Sequence, residues 1–126
     1  MLLLDTHAFL WFVADSAELS ERAREAIATA GRVHLSSVSA TELAIKVTAG
    51  KLRLRAPLAS WLPRQMTANA LRDLPLTQAH ALAVHDLPPH HRDPWDRLLV
   101  AQAQVERLTL VSRDDALRDY DVPVVW

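Results

Sequence analysis

The segment MLLLDTHAFLWFVAD, residues 1–15, sets the pattern that the rest of the chain repeats. Leu2–Leu4 form a short apolar run that predicts a buried strand, and Asp5 and Thr6 end it. The dense apolar stretch that follows predicts a buried helix. The segment therefore predicts a strand and a helix with an acid at the junction between them.

The same segment is apolar enough to be compared with a signal peptide. It has no basic leader, however, and Asp5 and His7 interrupt its apolar run. The uninterrupted part, from Ala8 to Ala14, is far shorter than the roughly 20 residues that a membrane span needs. We expect the segment to be part of the folded core and the protein to have no membrane partner.

Composition predicts one ordinary globular domain over residues 1–126, with 50% hydrophobic and 23% charged residues. The chain has no cysteine, which excludes a disulfide framework, a thiol nucleophile and a cysteine-based zinc site. This composition fits a reducing compartment, so we expect a cytoplasmic location. The net charge of −1 provides no general basic field, so any phosphate binding must be local.

Strands and helices alternate along the remaining sequence. Ser20 predicts the start of a helix that runs through Ala30, with Gly31 just past its end, and Ser39 with Glu42 has the S-x-x-E spacing of a capping box. Pro63 is expected to kink or divide the helix predicted over 56–68. Further strands are predicted over 32–39, 70–76, 108–112 and 122–126, and further helices over 77–86 and from Asp93 onward. This alternation predicts an α/β layered domain with a mainly parallel sheet.

Four carboxylates stand where helices begin. Asp5 and Asp114 follow predicted strands, and Glu42 lies in the first turn of a helix after a third strand. Asp96 lies in the first turn of the helix that follows a proline-rich loop, and we predict that Asp93 caps this helix and that Pro94 takes its first position. Ligands of parallel α/β sheets bind outside the carboxyl ends of the strands, where the next helices begin. We therefore predict that these four acids meet at one edge of the sheet.

A cluster of this kind requires protons or cations. Two unit charges about 4 Å apart repel by roughly 4 kcal/mol at an effective dielectric constant of 20, whereas a helix dipole offsets only about 0.3–1 kcal/mol. An all-oxygen set of ligands suits Mg²⁺ or Mn²⁺. Carboxylate-held magnesium is usually completed by phosphate oxygens, so the pattern favours hydrolysis of a phosphodiester with one or two ions.

The sequence lacks the residues that several other classes of reaction require. The two glycines cannot form a P-loop or a dinucleotide fingerprint, and no G-x-S-x-G segment is present. A phosphatase with Asp5 as its nucleophile is disfavoured because His7, not a second acid, stands two residues later. A zinc site is disfavoured because His80 and His85 are five residues apart and H-E-x-x-H is absent.

Several charged and aromatic residues have an ordinary structural interpretation. We interpret His90 and His91 as parts of a solvated loop, with a place at the rim of the site as the alternative. Lys46 is interpreted as the partner of Glu42 in a helical ion pair. The basic segment KLRLR, residues 51–55, is interpreted as a solvated face. We expect most of the tryptophans to be in the core or an interface.

Several segments together resemble the PIN-domain ribonucleases of the VapC toxin type. They are LLLDTHAFLW, SSVSATELAIKVTAGKL, LPPHHRDPWDRLLVAQA, LTLVSRDDAL and VPVVW. The most specific is HRDPWDRLLVAQA, residues 91–103, in which Trp95 stands where phenylalanine is more usual. The resemblance implies a three-layer α/β/α sandwich with a mainly parallel central sheet. It also implies a cluster of acids that binds Mg²⁺ or Mn²⁺.

The resemblance also assigns the site residues by position. The catalytic and metal-binding acids are Asp5, Glu42, Asp96 and Asp114, with Asp115 as an alternative for the last. Thr6 and Ser112 match positions where the family places a hydroxyl near the metal. Arg97 and Arg113 are the predicted phosphate contacts because guanidinium groups fit phosphate oxygens. The predicted RNA-binding residues are therefore Thr6, Arg97, Ser112 and Arg113.

The sequence leaves two functions to distinguish. The first is a metal-dependent endoribonuclease that leaves 5′-phosphate and 3′-hydroxyl ends on RNA. By resemblance, it is the toxin of a toxin–antitoxin pair, a homodimer whose groove is wrapped by a peptide of a cognate antitoxin. The alternative is a non-catalytic PIN-like interaction module in which the acids only cap helices.

Overall fold

A computed structural model describes residues 1–126 and contains one sheet of five parallel strands. The strand order is β3-β2-β1-β4-β5, so the first strand is central and the order reverses beside it. Leu2, Leu3 and Leu4 are paired with β2 on one side and β4 on the other. The strands are β1 (Leu2–Leu4), β2 (Val33–Ser36), β3 (Arg72–Leu74), β4 (Thr109–Val111) and β5 (Val124–Val125).

Six α-helices and two 3₁₀ helices connect these strands. The α-helices are α1 (Thr6–Val13), α2 (Glu21–Thr29), α3 (Ser37–Thr48), α4 (Leu58–Ala68), α5 (Gln78–Ala83) and α6 (Pro94–Glu106). The 3₁₀ helices are Val84–Asp86 and Asp115–Asp119. None of these helices combines the length and the apolar character that crossing a bilayer requires.

Two apolar clusters cover the two faces of the sheet. Alternate residues of a strand point to opposite faces, so Leu3 belongs to one cluster, while Leu2 and Leu4 belong to the other. The Leu3 cluster includes buried residues of α6, and the Leu4 cluster includes α1, α2 and Leu43 of α3. The predicted three-layer α/β/α sandwich is confirmed.

Two local features differ from the sequence-based expectation, the start of α3 and the course of α4 at Pro63. The capping box predicted for Ser39 and Glu42 is wrong: β2 ends at Ser36, whose hydroxyl accepts from the Val38 amide and caps α3. Ser39 instead lies inside α3 and is fully buried. Pro63 does not divide α4, which runs from Leu58 to Ala68 through it.

A buried polar network joins β2 to α5 and α6. Gln102 of α6 is fully buried, and its carbonyl oxygen accepts a hydrogen bond from the Ser36 hydroxyl. Its amide nitrogen lies 3.4 Å from both the Pro75 carbonyl oxygen and Nδ1 of His80. Nε2 of His80 in turn lies 2.9 Å from Glu106. Because Ser36 also caps α3, this network holds the start of α3 against α6.

We predict that Gln102→Leu lowers the free energy of unfolding by about 2–4 kcal/mol, because it leaves buried polar partners without a hydrogen bond. The matched control is Gln104→Leu on the same helix, whose side chain makes a solvent-exposed hydrogen bond to the Asp121 carbonyl. The control should cost about 1 kcal/mol or less. Urea denaturation measures both, and equal losses in the two variants would contradict a role for the network.

Candidate metal centre

Asp5 stands at the carboxyl end of the central strand and begins α1. Its backbone amide donates to the Val111 carbonyl of β4 at 3.1 Å, and its Oδ1 accepts from the Ala8 amide at 2.8 Å. The side chain also accepts a hydrogen bond from the Ser112 hydroxyl. Asp5 is buried and follows the central strand, beside which the strand order reverses. A carboxylate therefore lies inside the protein at the carboxyl ends of the strands.

Glu42 reaches the same edge from α3. Thr6 Oγ1 donates to Glu42 Oε1 at 2.8 Å and lies 3.0 Å from the buried Ser39 hydroxyl. Lys46 Nζ lies 3.4 Å from the second carboxylate oxygen, Oε2, as the i,i+4 spacing predicted. The Thr6 hydroxyl therefore orients Glu42 rather than standing free for a substrate.

Asp96 lies in the first turn of α6. Asp93 caps this helix through a 2.9 Å hydrogen bond from the Trp95 amide to its Oδ1, and Pro94 occupies the first helical position, as expected. Asp96 does not accept a capping hydrogen bond in the structure. The capping interpretation therefore accounts for Asp93 but leaves Asp96 without a structural partner in its own helix.

Asp114 is the fourth acid, and the structure separates it from Asp115. Asp114 Oδ1 caps the following 3₁₀ helix at Ala116, while its amide donates to the Ser112 hydroxyl oxygen at 3.1 Å. The Asp115 side chain is 94% exposed and pairs only with Arg118. Since Ser112 also donates to Asp5, one buried hydroxyl connects the first and fourth acids.

These four acids line one cavity of about 400 Å³ at the carboxyl ends of the strands. Its lining is almost entirely polar and contains five carboxylates and one arginine. The side chains are Asp5, Thr6, His7, Trp11, Glu42, His91, Asp93, Asp96, Arg113 and Asp114. The structure therefore brings together all four acids that the sequence singled out.

Two of the acids, Asp5 and Asp96, have raised pKa values because they are buried and lie near other acids. Burial raises the pKa of Asp5, and the nearby Glu42 raises it further, against hydrogen bonds from Ser112 and Ala8 that lower it. Burial, then the neighbouring Asp93, raises the pKa of Asp96 to about 7 from an ordinary 3.8. When its acids are ionised, the cavity therefore has more negative charge than Arg113, the one arginine in its lining, can balance.

Besides Thr6, two more of the predicted RNA-binding residues, Arg97 and Ser112, have other partners in the structure. Arg97 donates to the backbone carbonyls of Pro88, at 2.8 Å, and of Val84 and Leu87, and it does not line the cavity. The phosphate contact predicted for Arg97 is therefore corrected: its guanidinium supports the loop before α6. Ser112 is almost fully buried and serves the acids, so it does not present its hydroxyl to RNA.

Arg113 does line the cavity. Its guanidinium is 2.8 Å from Glu18 and 5.6 Å from the ring centroid of Trp11, and its side chain is more than half exposed. Its position is consistent with the predicted phosphate contact. Trp11 itself stacks on His7 and packs at a tilt against Trp126.

His91 lines the cavity, so the structure supports the alternative to the solvated loop that the sequence favoured. Its Nε2 lies 3.1 Å from Asp114 Oδ2 and 3.4 Å from Asp96 Oδ2, so it stands between two of the acids. It is not part of a freely solvated loop, because its Nδ1 accepts from the Asp93 amide at 3.0 Å. The available signal was its place two residues before the residue that caps α6.

Comparisons with known proteins agree with this geometry. Residues 2–123 match the family model of the PIN domain. The chain is 33% identical over 129 residues to Ribonuclease VapC22 of Mycobacterium tuberculosis (strain ATCC 25618 / H37Rv), covering 99% of this chain and 98% of the relative.

Solved structures with the same fold are more distant in sequence. The VapBC2 structure from Rickettsia felis, bound to a promoter DNA fragment, has a TM-score of 0.71 at 15% identity. FitAcB from Neisseria gonorrhoeae has a TM-score of 0.68 at 22% identity. Each comparison covers 98% of this chain and 96% of the other. The fold and the full-length sequence match agree, and the chain belongs to the PIN domain family.

Proposed function

We propose that this protein is an endoribonuclease that depends on Mg²⁺ or Mn²⁺ and serves as the toxin of a toxin–antitoxin pair. The observation that carries the proposal is the convergence of Asp5, Glu42, Asp96 and Asp114 on one polar cavity. The similarity to a protein named ribonuclease VapC22 supports RNA as the substrate class. Acids that only capped their own helices would not need to line the same cavity.

The residues present fit a hard divalent cation. The cavity offers carboxylate oxygens as its main donors, and Asp5 and Asp96 resist ionisation while no cation balances them. Asp5, Glu42, Asp96 and Asp114 would hold one or two such ions. When bound, the ion supplies a more acidic, more nucleophilic water and neutralises charge on the phosphate.

The chain's own residues have distinct tasks in this reaction. Asp5 and Asp114 each use one carboxylate oxygen as a helix cap, which fixes the direction of the carboxylate. Thr6 fixes Glu42 in the same way. We assign the contact with the substrate phosphate to Arg113, whose exposed guanidinium lies at the cavity wall.

The products follow from the bond that breaks. Water oxygen forms a bond to phosphorus, and the bond from phosphorus to the 3′ oxygen breaks. The leaving 3′ oxygen gains a proton, so the products carry a 5′-phosphate and a 3′-hydroxyl. A carboxylate of the cavity is suited to accept the proton that the attacking water loses.

We propose an antitoxin and a second copy of the chain as protein partners. Support for the antitoxin comes from structural neighbours that are themselves toxin–antitoxin complexes, including one from Klebsiella pneumoniae. An apolar groove of about 690 Å³ shares Trp11 with the acid cavity and is a suitable surface for a peptide. Ile45 of α3 is 52% accessible and lies with Ala44 and Ala49 along one shallow pocket, and we assign the contact with the second copy to this surface. The cytoplasmic location stays a prediction.

We predict that the wild-type protein binds Mn²⁺ and that Asp96→Asn weakens this binding at least about 10-fold, because a charged ligand is lost. Isothermal titration calorimetry on chelator-treated protein measures this. Asp115→Asn is the matched control, since it removes the same charge from an exposed side chain directly beside Asp114. Absence of binding by the wild type would favour the non-catalytic interaction module.

We predict that single-stranded RNA is cleaved in the presence of Mn²⁺ and that Asp5→Asn lowers kcat at least about 100-fold. Asparagine is as good an N-cap as aspartate, so α1 keeps its cap and the loss reports on chemistry. Gel analysis of end-labelled RNA measures the rate and identifies the 5′-phosphate ends. Equal cleavage by Asp5→Asn and the wild type would refute the catalytic assignment.

The pKa of Asp96 predicts how stability depends on pH in a chelating buffer. The folded state holds this proton more tightly than the unfolded state, with a pKa of about 7 against 3.8. The resulting stabilisation is full below pH 3.8 and is lost as pH rises to 7, by at most about 1.4 kcal/mol per pH unit. Asp96→Asn should therefore have a smaller loss over this range and be more stable than wild type at pH 8.

Urea denaturation at several pH values measures the difference between Asp96→Asn and the wild type. Asp115→Asn again serves as the control, because its side chain lies in solvent. An identical pH dependence in Asp96→Asn and the wild type would show that Asp96 ionises normally in the folded protein.

A further inference from the structure

We infer that His91 is a positioning residue: its Nε2–H holds the carboxylates of Asp96 and Asp114 together and is not a ligand of the metal. The inference rests on the proposed function, in which these two acids bind a divalent cation. It assigns a task to a residue that lies outside the four acids.

The positions of the three side chains alone allow two interpretations. One ligand atom from each of His91, Asp96 and Asp114 lies within 4.8 Å of the others, which is also compatible with a metal site of one nitrogen and two oxygens. The Nε2 atom is the one that faces both acids, at 3.1 Å from Asp114 and 3.4 Å from Asp96. If Nε2 carries a hydrogen, it donates a hydrogen bond to the acids. If it carries none, its lone pair is available to a metal ion.

The other ring nitrogen determines where that proton lies. Nδ1 of His91 is 3.0 Å from the backbone nitrogen of Asp93, an N–H group that can only donate. A ring nitrogen that accepts a hydrogen bond carries no hydrogen, and the neutral imidazole has its single N–H on the other nitrogen. Nε2 therefore carries the hydrogen and donates it to Asp114 Oδ2, with Asp96 Oδ2 3.4 Å from the same nitrogen, and it has no lone pair for a cation.

The contact also joins two distant parts of the chain. His91 is fixed to the turn that precedes α6 and contains the cap Asp93, whereas Asp114 follows β4 and is 23 residues away from His91. A neutral N–H placed between the two acids brings them together without adding a cation. Asp114 uses Oδ1 to cap the 3₁₀ helix. The Oδ2 atoms of Asp96 and Asp114, which face His91, each keep a further lone pair that can bind a cation.

The tautomer is tested first, by NMR of the full-length protein with ¹⁵N-labelled histidine at pH 8 in chelator. We expect the long-range ¹⁵N–¹H pattern of the Nε2–H tautomer for His91, and we expect it to persist after Mg²⁺ is added. An Nδ1–H tautomer in chelator, or loss of the Nε2–H pattern on Mg²⁺ binding, would overturn the inference. This readout does not depend on ribonuclease activity.

The effect on metal binding is tested with His91→Ala, His91→Gln and the adjacent control His90→Ala. Calorimetry with Mn²⁺ should show about 10-fold to 100-fold weaker binding for His91→Ala, the usual effect of losing a residue that orients a ligand. His91→Gln should recover part of the affinity because its amide can donate. His90 packs at a tilt against Tyr120 outside the cavity, so His90→Ala should bind normally.

The outcomes separate this inference from the proposed function. Normal Mn²⁺ affinity in His91→Ala, with binding intact in the wild type, overturns the positioning role and leaves the metal centre in place. Absence of Mn²⁺ binding in the wild type overturns the proposed function instead. In that case, the tautomer in chelator still decides whether His91 donates to the two acids.

Discussion

Five parallel strands end at one edge of a single sheet, and the architecture of the site depends on this constraint. A residue that ends one strand and begins the next helix is brought to the same edge as the corresponding residue of any other strand. Asp5 and Asp114 are such residues on the neighbouring strands β1 and β4, and Ser112 connects them. The reversal of strand order beside β1 leaves room for a cavity at that point.

Helix capping and site chemistry use different oxygens of the same carboxylates. A capping carboxylate needs one oxygen for a backbone amide, and Asp5 and Asp114 each use Oδ1 in this way. The caps stabilise the fold, whereas burial, and after it the neighbouring Asp93, raises the pKa of Asp96, and its ionisation destabilises the cation-free protein at neutral pH. The site thus lowers the stability of the cation-free protein, because it brings like charges together. Such a local loss of stability is expected where function requires the charges to meet.

Most of the segment HRDPWDRLLVAQA maintains the structure rather than contacting the cavity. Arg97 holds the preceding loop through backbone carbonyls, and Gln102 joins α6 to β2. Asp93 caps α6 and also donates its amide to His91. Within this segment, Asp96 alone belongs to the four acids, and its pKa is raised, so the most recognisable stretch of the chain mainly positions one carboxylate.

The sequence by itself determined the alternation of strands and helices, the caps Asp5 and Asp93, and the identity of the four acids, because these depend on local patterns of apolar and capping residues. Tertiary structure decided which side chains face the cavity. Arg97 and His91 show the difference: the first turns to loop carbonyls and the second to two acids, although both flank the same cap. The reason is physical, since a side chain's partners come from elements distant in sequence, and only packing of the layers brings those elements together.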